Sequence, residues 1–491
     1  MAEKSRFPSL LFCIITVAVF LLMVSSLFLL QSGDYSFSQR SGWGHILINN
    51  TTTYYFNHEL RREDVDTPIT RSHGSIRNLD EDCGMLKPVE GGGVASQGNI
   101  GCDPSQAYLK VYMYDLPSEF HFGLMGWTES ADQKWPNITD HGRLPPYPGG
   151  LNLQHSIEYW LTLDLLASNN PSVTRPCTAV RVKDASVADI IFVPFFASLS
   201  YNRYSKLGEG ETVSVNKALQ DRLVKFLKGR NEWKRLGGKD HLIVAHHPNS
   251  MLDARSKLGS AMFVLADFGR YPVGIANIEK DVIAPYKHMV RTIADSESAP
   301  FDRRPILAFF QGAIYRKDGG AIRQDIYYLL KDEPDVHFTF GSVGANGVSN
   351  AGKGMASSKF CLNIAGDTPS SNRLFDAIAS QCVPVIISDE IELPFEDVLD
   401  YSEFSVFVPA SDALKPGYLI KLLRGITKEK WTVMWERLKQ VQHHFEYQYP
   451  SKTGDAVEMI WRGVLNKISS TKFKLHKDKR RIQPKVLRKY I

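Results

Sequence analysis

The sequence predicts an α/β protein whose body consists of two Rossmann-like domains facing a cleft. Short apolar runs alternate with amphipathic stretches from about residue 107 to 468. The turns between them are short, which implies parallel sheets covered on both faces. The span is also long enough for two hydrophobic cores in succession.

Residues 1–9 form a short polar start with Lys4 and Arg6. Leu10–Leu30 is an uncharged apolar run of 21 residues, long enough to cross a bilayer as a helix. It exceeds the ~7–15 apolar residues of a cleaved signal peptide, and Ser25-Ser26 before Leu27–Leu30 is a poor cleavage context. A signal anchor with a cytosolic N-terminus follows from the flanking charge. Residues 31–106 mix Ser, Gly, Asp, Asn and Arg without periodicity and read as a luminal stem. In the first domain (107–295), strands fit Leu109–Tyr114, Ile190–Phe196, His241–Ala245 and Met262–Phe268, and helices fit Leu153–Ala167 and Val213–Leu236. In the second (296–468), strands fit Ile306–Phe310, His337–Phe340, Phe360–Ile364, Val383–Ile387 and Ser405–Val408. The helices there are Ala321–Lys331, Pro369–Ser380, Pro416–Ile426, Lys428–Tyr447 and Asp455–Ile468. A basic tail (469–491) closes the chain.

Ser358–Asp397 carries the clearest chemistry. Two apolar strands flank a helix that Thr368 can cap, with Pro369 at its first position. Ser370, Ser371 and Arg373 fall in the first turn. Backbone N–H groups, hydroxyls and a guanidinium at a helix start suit a diphosphate, and the acidic turn Asp389, Glu390, Glu392 suits a ribose. Together they suggest a nucleotide-sugar pocket. A generic strand–helix–strand unit with a surface arginine is the plainer reading. Arg316, Lys317 and Arg323, around Gly319-Gly320 after the strand ending Phe310-Gln311-Gly312, form a second basic strand-to-helix turn. It is suited to neutralising a leaving group, and a solvated turn is its plainer counterpart.

A base to take the acceptor's proton is expected from the first domain. The candidates are Asp115 at a strand end, His155 and Glu158 on the first helix, and His246-His247 after another strand. Strand ends are where parallel sheets meet ligands, which favours Asp115 and the His pair. No metal is expected to be essential: Asp80-Glu81-Asp82 sits in the stem away from any strand, and no HExxH, Walker loop or paired CxxC occurs.

The blocks Val111–Pro117 (VYMYDLP), Asp240–Val244 (DHLIV), Val264–Arg270 (VLADFGR), Tyr315–Arg323 (YRKDGGAIR) and Ser358–Asp397 carry a resemblance that runs to about Trp461. They resemble the exostosin-like glycosyltransferases of family 47, closest to the plant arabinosyltransferase-like subgroup associated with pectic arabinan. The resemblance implies a GT-B arrangement, a UDP-sugar donor, a polysaccharide or oligosaccharide acceptor, inverting transfer and a Golgi type II membrane topology. It favours donor binding by Arg316, Lys317, Arg323, Ser370, Ser371 and Arg373. His155 lies in a block, Gln154–Trp160, that resembles the subgroup pattern. Asp376 resembles the ribose-binding acid of GT-B enzymes. It stands eight residues before Pro384 where seven is commoner, so Glu392 or Glu396 is the alternative contact. Galactosyl, xylosyl or glucuronosyl transfer to hemicellulose, and a non-catalytic partner role in a homo- or hetero-oligomer, are the rival functions.

Formal charge is +5, but the stretch from Lys467 to Ile491 alone carries +9. The remainder is therefore about −4, so the basicity belongs to a solvated end and not to a nucleic-acid groove. Sequons at Asn49, Asn50 and Asn137 agree with a luminal body. Cys83, Cys102 and Cys177 are candidates for pairing, Cys83–Cys102 being the simplest, whereas Cys361 and Cys382, inside apolar strands, are expected to be buried thiols.

Overall fold

The computed structural model describes residues 105–482, apart from Arg270, 316–319 and 342–345. The anchor, the stem, the sequons at Asn49 and Asn50, and the cysteines before Cys177 lie outside these residues. Two all-parallel sheets organise the described chain. The first holds β1 (Leu109–Met113), β2 (Ala179–Val182), β3 (Ile190–Val193), β4 (His241–Val244), β5 (Met262–Leu265) and β6 (Val282–Ile283), in the order β2-β1-β3-β4-β5-β6. The second holds β7 (Ile306–Gly312), β8 (Val336–Phe340), β9 (Ser358–Ile364), β10 (Val383–Ile387) and β11 (Val406–Phe407), in the order β11-β10-β9-β7-β8.

Each order is doubly wound: the chain lays its second strand on one side of the first, then returns to build on the other. A crevice therefore opens at the carboxyl ends of β1 and β3, and of β7 and β9. Strands β3, β4, β5 and β10 are buried at every residue, as apolar runs covered on both faces must be.

The first sheet is covered by α1 (Ile157–Ala167), α2 (Ala197–Tyr204), α3 (Val215–Gly229), α4 (Asn231–Leu236) and α5 (Leu252–Arg255). Against the second lie α6 (Ala321–Leu330), α7 (Gly347–Ala356), α8 (Asn372–Ala379), α9 (Ala410–Ala413), α10 (Tyr418–Arg424) and α11 (Lys428–Val441). The last helix, α12 (Ala456–Ile482), returns to the first sheet. Trp461 is 1% exposed and donates its indole N–H to Asp164 at 2.9 Å, while Thr178 donates to Glu458 at 2.8 Å. One apolar cluster thus runs from Met113, Ile157 and Phe192 through Ile460 and Val464 to Leu374, Phe375 and Ile378 of α8.

Several expectations need correction. The helix predicted over Val213–Leu236 is broken at Arg230, whose extended backbone follows the weak helix former Gly229. The helix after β9 begins at Asn372, capped by Ser371, and not at Pro369. Ser370 is drawn out of the helix because its hydroxyl donates to Asp267 across the cleft. Gly150–His155 is a 3-10 segment ahead of α1, so His155 precedes that helix. The basic end is helical as far as Ile482, with Lys472 paired to Asp189 at 2.7 Å. Cys361 and Cys382 form a disulfide with a Cα–Cα separation of 5.8 Å. They are diagonal neighbours because Phe360 pairs with Val383 in the parallel register. Cys177 is also disulfide-bonded.

Candidate active site

The carboxyl edges of the two sheets border one cavity of about 450 Å³. On the first side stand Gln154 and His155 before α1, His247, Pro248 and Asn249 after β4, and Tyr286 after β6. On the other stand Gly312 at the end of β7 and Ala313 after it, Gly366 to Thr368 after β9, and Ser370, Ser371, Asn372, Arg373 and Asp376 at the start of α8.

Arg373 is held by its Nε donating to the Gln311 carbonyl and an Nη donating to Ser371 Oγ, both at 3.0 Å. Its guanidinium also lies over the Phe310 ring, 5.0 Å from the centroid. A Cβ at Gly312 would stand 2.0 Å from that guanidinium, so only glycine admits the arginine here. Gly366 does the same for Arg323: a Cβ there would meet an Nη at 2.5 Å. Arg323 is 3% exposed and donates to the carbonyls of Ala313, Ile364 and Ala365. It therefore clamps the ends of β7 and β9 at the switch point of the second sheet, and brings positive charge to the cavity wall.

Asp376 is buried and its carboxylate is occupied. It accepts from the backbone N–H groups of Met289 at 2.6 Å and Val290 at 3.3 Å, and from Asn372 Nδ2 at 2.7 Å. Burial raises its pKa, with the two N–H groups opposing. It ties α8 to the segment leaving the first sheet. Two residues not singled out by the sequence also bridge the cleft. Asp267 accepts from Ser370 at 2.5 Å, and the Tyr286 hydroxyl lies 3.1 Å from the same serine oxygen. Asp267 belongs to the VLADFGR block, so its position after an apolar strand was the available signal; Tyr286 had none.

Three histidines cluster on the first side. His155 Nδ1 lies 2.9 Å from His246 Nδ1, and His246 Nε2 lies 3.1 Å from the Ala284 carbonyl. His247 Nδ1 accepts from the Asn249 N–H at 3.1 Å, and its ring packs against His155 and Tyr201. Burial, with the neighbouring imidazoles, holds His155 well below the usual histidine range. Burial carries His246 down to about 3 despite the Ala284 carbonyl. His155 lines the cavity, whereas His246 is fully buried behind it.

The remaining candidates lie elsewhere. Asp115 accepts from Trp135 at 3.0 Å and Arg181 at 2.7 Å, outside the cavity lining. Glu158 is buried among Tyr147, Ser198 and the Leu199 N–H, and burial raises its pKa to about 7. Glu392 and Glu396 border a different cavity, beside Asn466 and Lys467. Arg316 and Lys317 fall outside the described residues.

Residues 105–425 match the exostosin GT47 domain. The chain belongs to this glycosyltransferase family. A probable arabinosyltransferase of Arabidopsis thaliana, ARAD1, is 40% identical over 383 residues, covering 77% of this chain and 83% of its own. A probable glucuronoxylan glucuronosyltransferase from the same plant is 26% identical over 72% of this chain and 73% of its own. A probable xyloglucan galactosyltransferase, also from that plant, is 23% identical over 73% and 82%. The solved structure of Anabaena HepE with UDP and glucose aligns over 74% of this chain and all of that one, at 8% identity and a TM-score of 0.34, too distant a likeness to inform the chemistry.

Proposed function

We propose that this exostosin-family chain transfers arabinose from a UDP-sugar to a growing wall polysaccharide, pectic arabinan foremost, with inversion at the anomeric carbon. The observation that carries the reading is the pair of glycine-cradled arginines, Arg323 and Arg373, at the switch point of the second sheet. Carboxyl ends at a switch point are where doubly wound sheets take ligands. A guanidinium with serine hydroxyls beside it suits a diphosphate that gains charge as its bond to the sugar breaks. Ser371 and Arg373 hold the diphosphate, Arg323 supplies fixed charge behind it, and the first side presents the acceptor hydroxyl and its base. The arrangement is that of a GT-B enzyme, with domains at 107–295 and 296–468.

The choice of arabinose follows the relative named a probable arabinosyltransferase, at 40% identity. We place the body in the Golgi lumen, held by a signal anchor at Leu10–Leu30. The Cys361–Cys382 disulfide supports an oxidising compartment, and Asn137 is an exposed acceptor sequon.

The test is a panel of UDP-sugars offered to the luminal body with arabinan, galactan and xylan oligosaccharides. UDP release with one arabinosyl donor on an arabinan acceptor is expected. Turnover of a galactosyl or glucuronosyl donor instead would overturn the sugar and keep the site. No binding of any donor by folded protein would point to a non-catalytic partner.

A further inference from the structure

We infer that His155 Nε2 is the base that accepts the acceptor's proton, and that His246 is the positioning residue that fixes His155 in the competent tautomer. The inference rests on the donor-site reading above and assigns the opposite wall.

The argument starts at Ala284. A backbone carbonyl only accepts, so His246 Nε2, 3.1 Å from it, carries the hydrogen. In a neutral imidazole the other nitrogen then has a lone pair. His246 Nδ1 is thus an acceptor, and His155 Nδ1, 2.9 Å away, is its donor. With its proton on Nδ1, neutral His155 keeps a lone pair on Nε2, which agrees with the Gln154 amide N–H donating there at 3.2 Å. His246 is fully buried and outside the cavity lining, whereas His155 lines the cavity, so His155 is the member of the pair that an acceptor can reach. The neighbouring His247 is the reverse case. Its Nδ1 accepts from the Asn249 N–H, so its Nε2 is a donor and not a base.

The transfer balances on these groups. As the acceptor enters, the Gln154 amide gives up the Nε2 lone pair; the acceptor hydroxyl then gives its proton to His155 Nε2, and its oxygen pair forms the bond to the anomeric carbon. The bond from that carbon to the diphosphate oxygen breaks, and its electron pair leaves with UDP toward Arg373. The resulting imidazolium still donates from Nδ1 to His246, whose own Nε2–H is held by Ala284, so one pair of hydrogen bonds aims the base before and after the transfer. The titratable groups facing the His155 ring are His246, His247 and Tyr286, and Tyr286 bonds through Ser370 to Asp267.

The experiment compares H155A, H246F and H246N for UDP binding, kcat and its pH profile. Loss of about 10²–10⁴-fold in kcat is expected for H155A, with UDP affinity within twofold and partial recovery in added imidazole. H246F, which has no acceptor for Nδ1–H, is expected to lose about 10–100-fold in kcat and to shift the acid limb of the profile. H246N, whose amide oxygen can accept that hydrogen, is expected to recover part of the loss, which a merely space-filling His246 would not produce. H155A with kcat within twofold of wild type refutes the base, and H246F and H246N losing kcat equally with the wild-type pH profile refutes the positioning role. Failure of the wild type to bind any UDP-sugar refutes the donor site, and with it the frame of this assignment.

Discussion

Replacing Gly312 by alanine puts a methyl carbon where the Arg373 guanidinium now lies. The new Cβ would stand 2.0 Å from an Nη, 2.4 Å from Cζ and 2.5 Å from Nε, against ordinary contact beginning near 3.4 Å. The guanidinium must therefore retreat by about 1.4 Å, a distance set by those contacts. Its bonds to the Gln311 carbonyl and Ser371 Oγ are 3.0 Å long and do not survive such a move. Any bond from the same group to a diphosphate oxygen goes with them. One charge-assisted hydrogen bond is worth about 1.5–3 kcal/mol, so UDP affinity should fall by roughly 10–150-fold. The assay is calorimetric UDP binding to the wild type, G312A, R373A and the double variant. Because the methyl acts by displacing Arg373, G312A should add little to R373A, and the double variant should bind within about twofold of R373A alone. Folded G312A and R373A proteins that bind UDP as tightly as wild type would refute the donor site. Additive losses would refute the route through Arg373.

Arg323→Met removes four donations to strand-end carbonyls and leaves them facing an apolar chain; stability should fall by about 2–4 kcal/mol in denaturant unfolding, with Arg323→Lys in between. The double change C361A/C382A opens a link between residues 21 apart and should cost about 3 kcal/mol by loop entropy, read as a lower denaturation midpoint that responds less to dithiothreitol than that of the wild type. For Glu446, burial favours the neutral acid, but the His288 hydrogen bond and charge, Lys287 and the Thr292 hydroxyl outweigh it and hold the carboxyl at about 2. A depressed carboxylate stabilises the fold above the unfolded pKa near 4.5. That contribution, at most about 3 kcal/mol, should fade as the pH falls from about 5 to 2. Glu446→Gln should flatten this part of a stability-against-pH curve, and an unchanged slope would show that other groups set it.

Much of the fold was legible because fully buried parallel strands write themselves as continuous apolar runs. HLIV, MFVL and VPVII needed no partner to be recognised. Val282–Ile283 was not legible, being two residues long beside Ala284-Pro285, and neither was α7, whose Gly, Ser and Asn residues are weak helix formers. In the site, Ser371 and Arg373 followed from a local pattern: strand, turn, helix start. The pairing of Gly312 with Arg373 did not, because the clash joins residues from different strands and helices. The Cys361–Cys382 bond likewise depends on β9 and β10 being neighbours in a particular register. Asp376 was selected as an acid on a helix, but which hydrogen bonds occupy it is decided by Met289 and Val290, far away in sequence. Only tertiary contact separates the roles of His155 and His246, since each stands at an element end and no local pattern marks which of them reaches the cavity.

The return of α12 to the first sheet also sets an order of assembly. The surface that Ile460, Trp461 and Val464 cover on Met113, Ile157 and Phe192 belongs to the part of the chain made first, yet its cover is among the last parts made. As the chain emerges from the ribosome, the first sheet must wait with that apolar surface bare while the whole second sheet is synthesised. A chain stopped after α11 would carry every described residue lining the cavity and still leave this core open. The final helix therefore bears on the yield of folded protein, even though none of its described side chains lines the cavity.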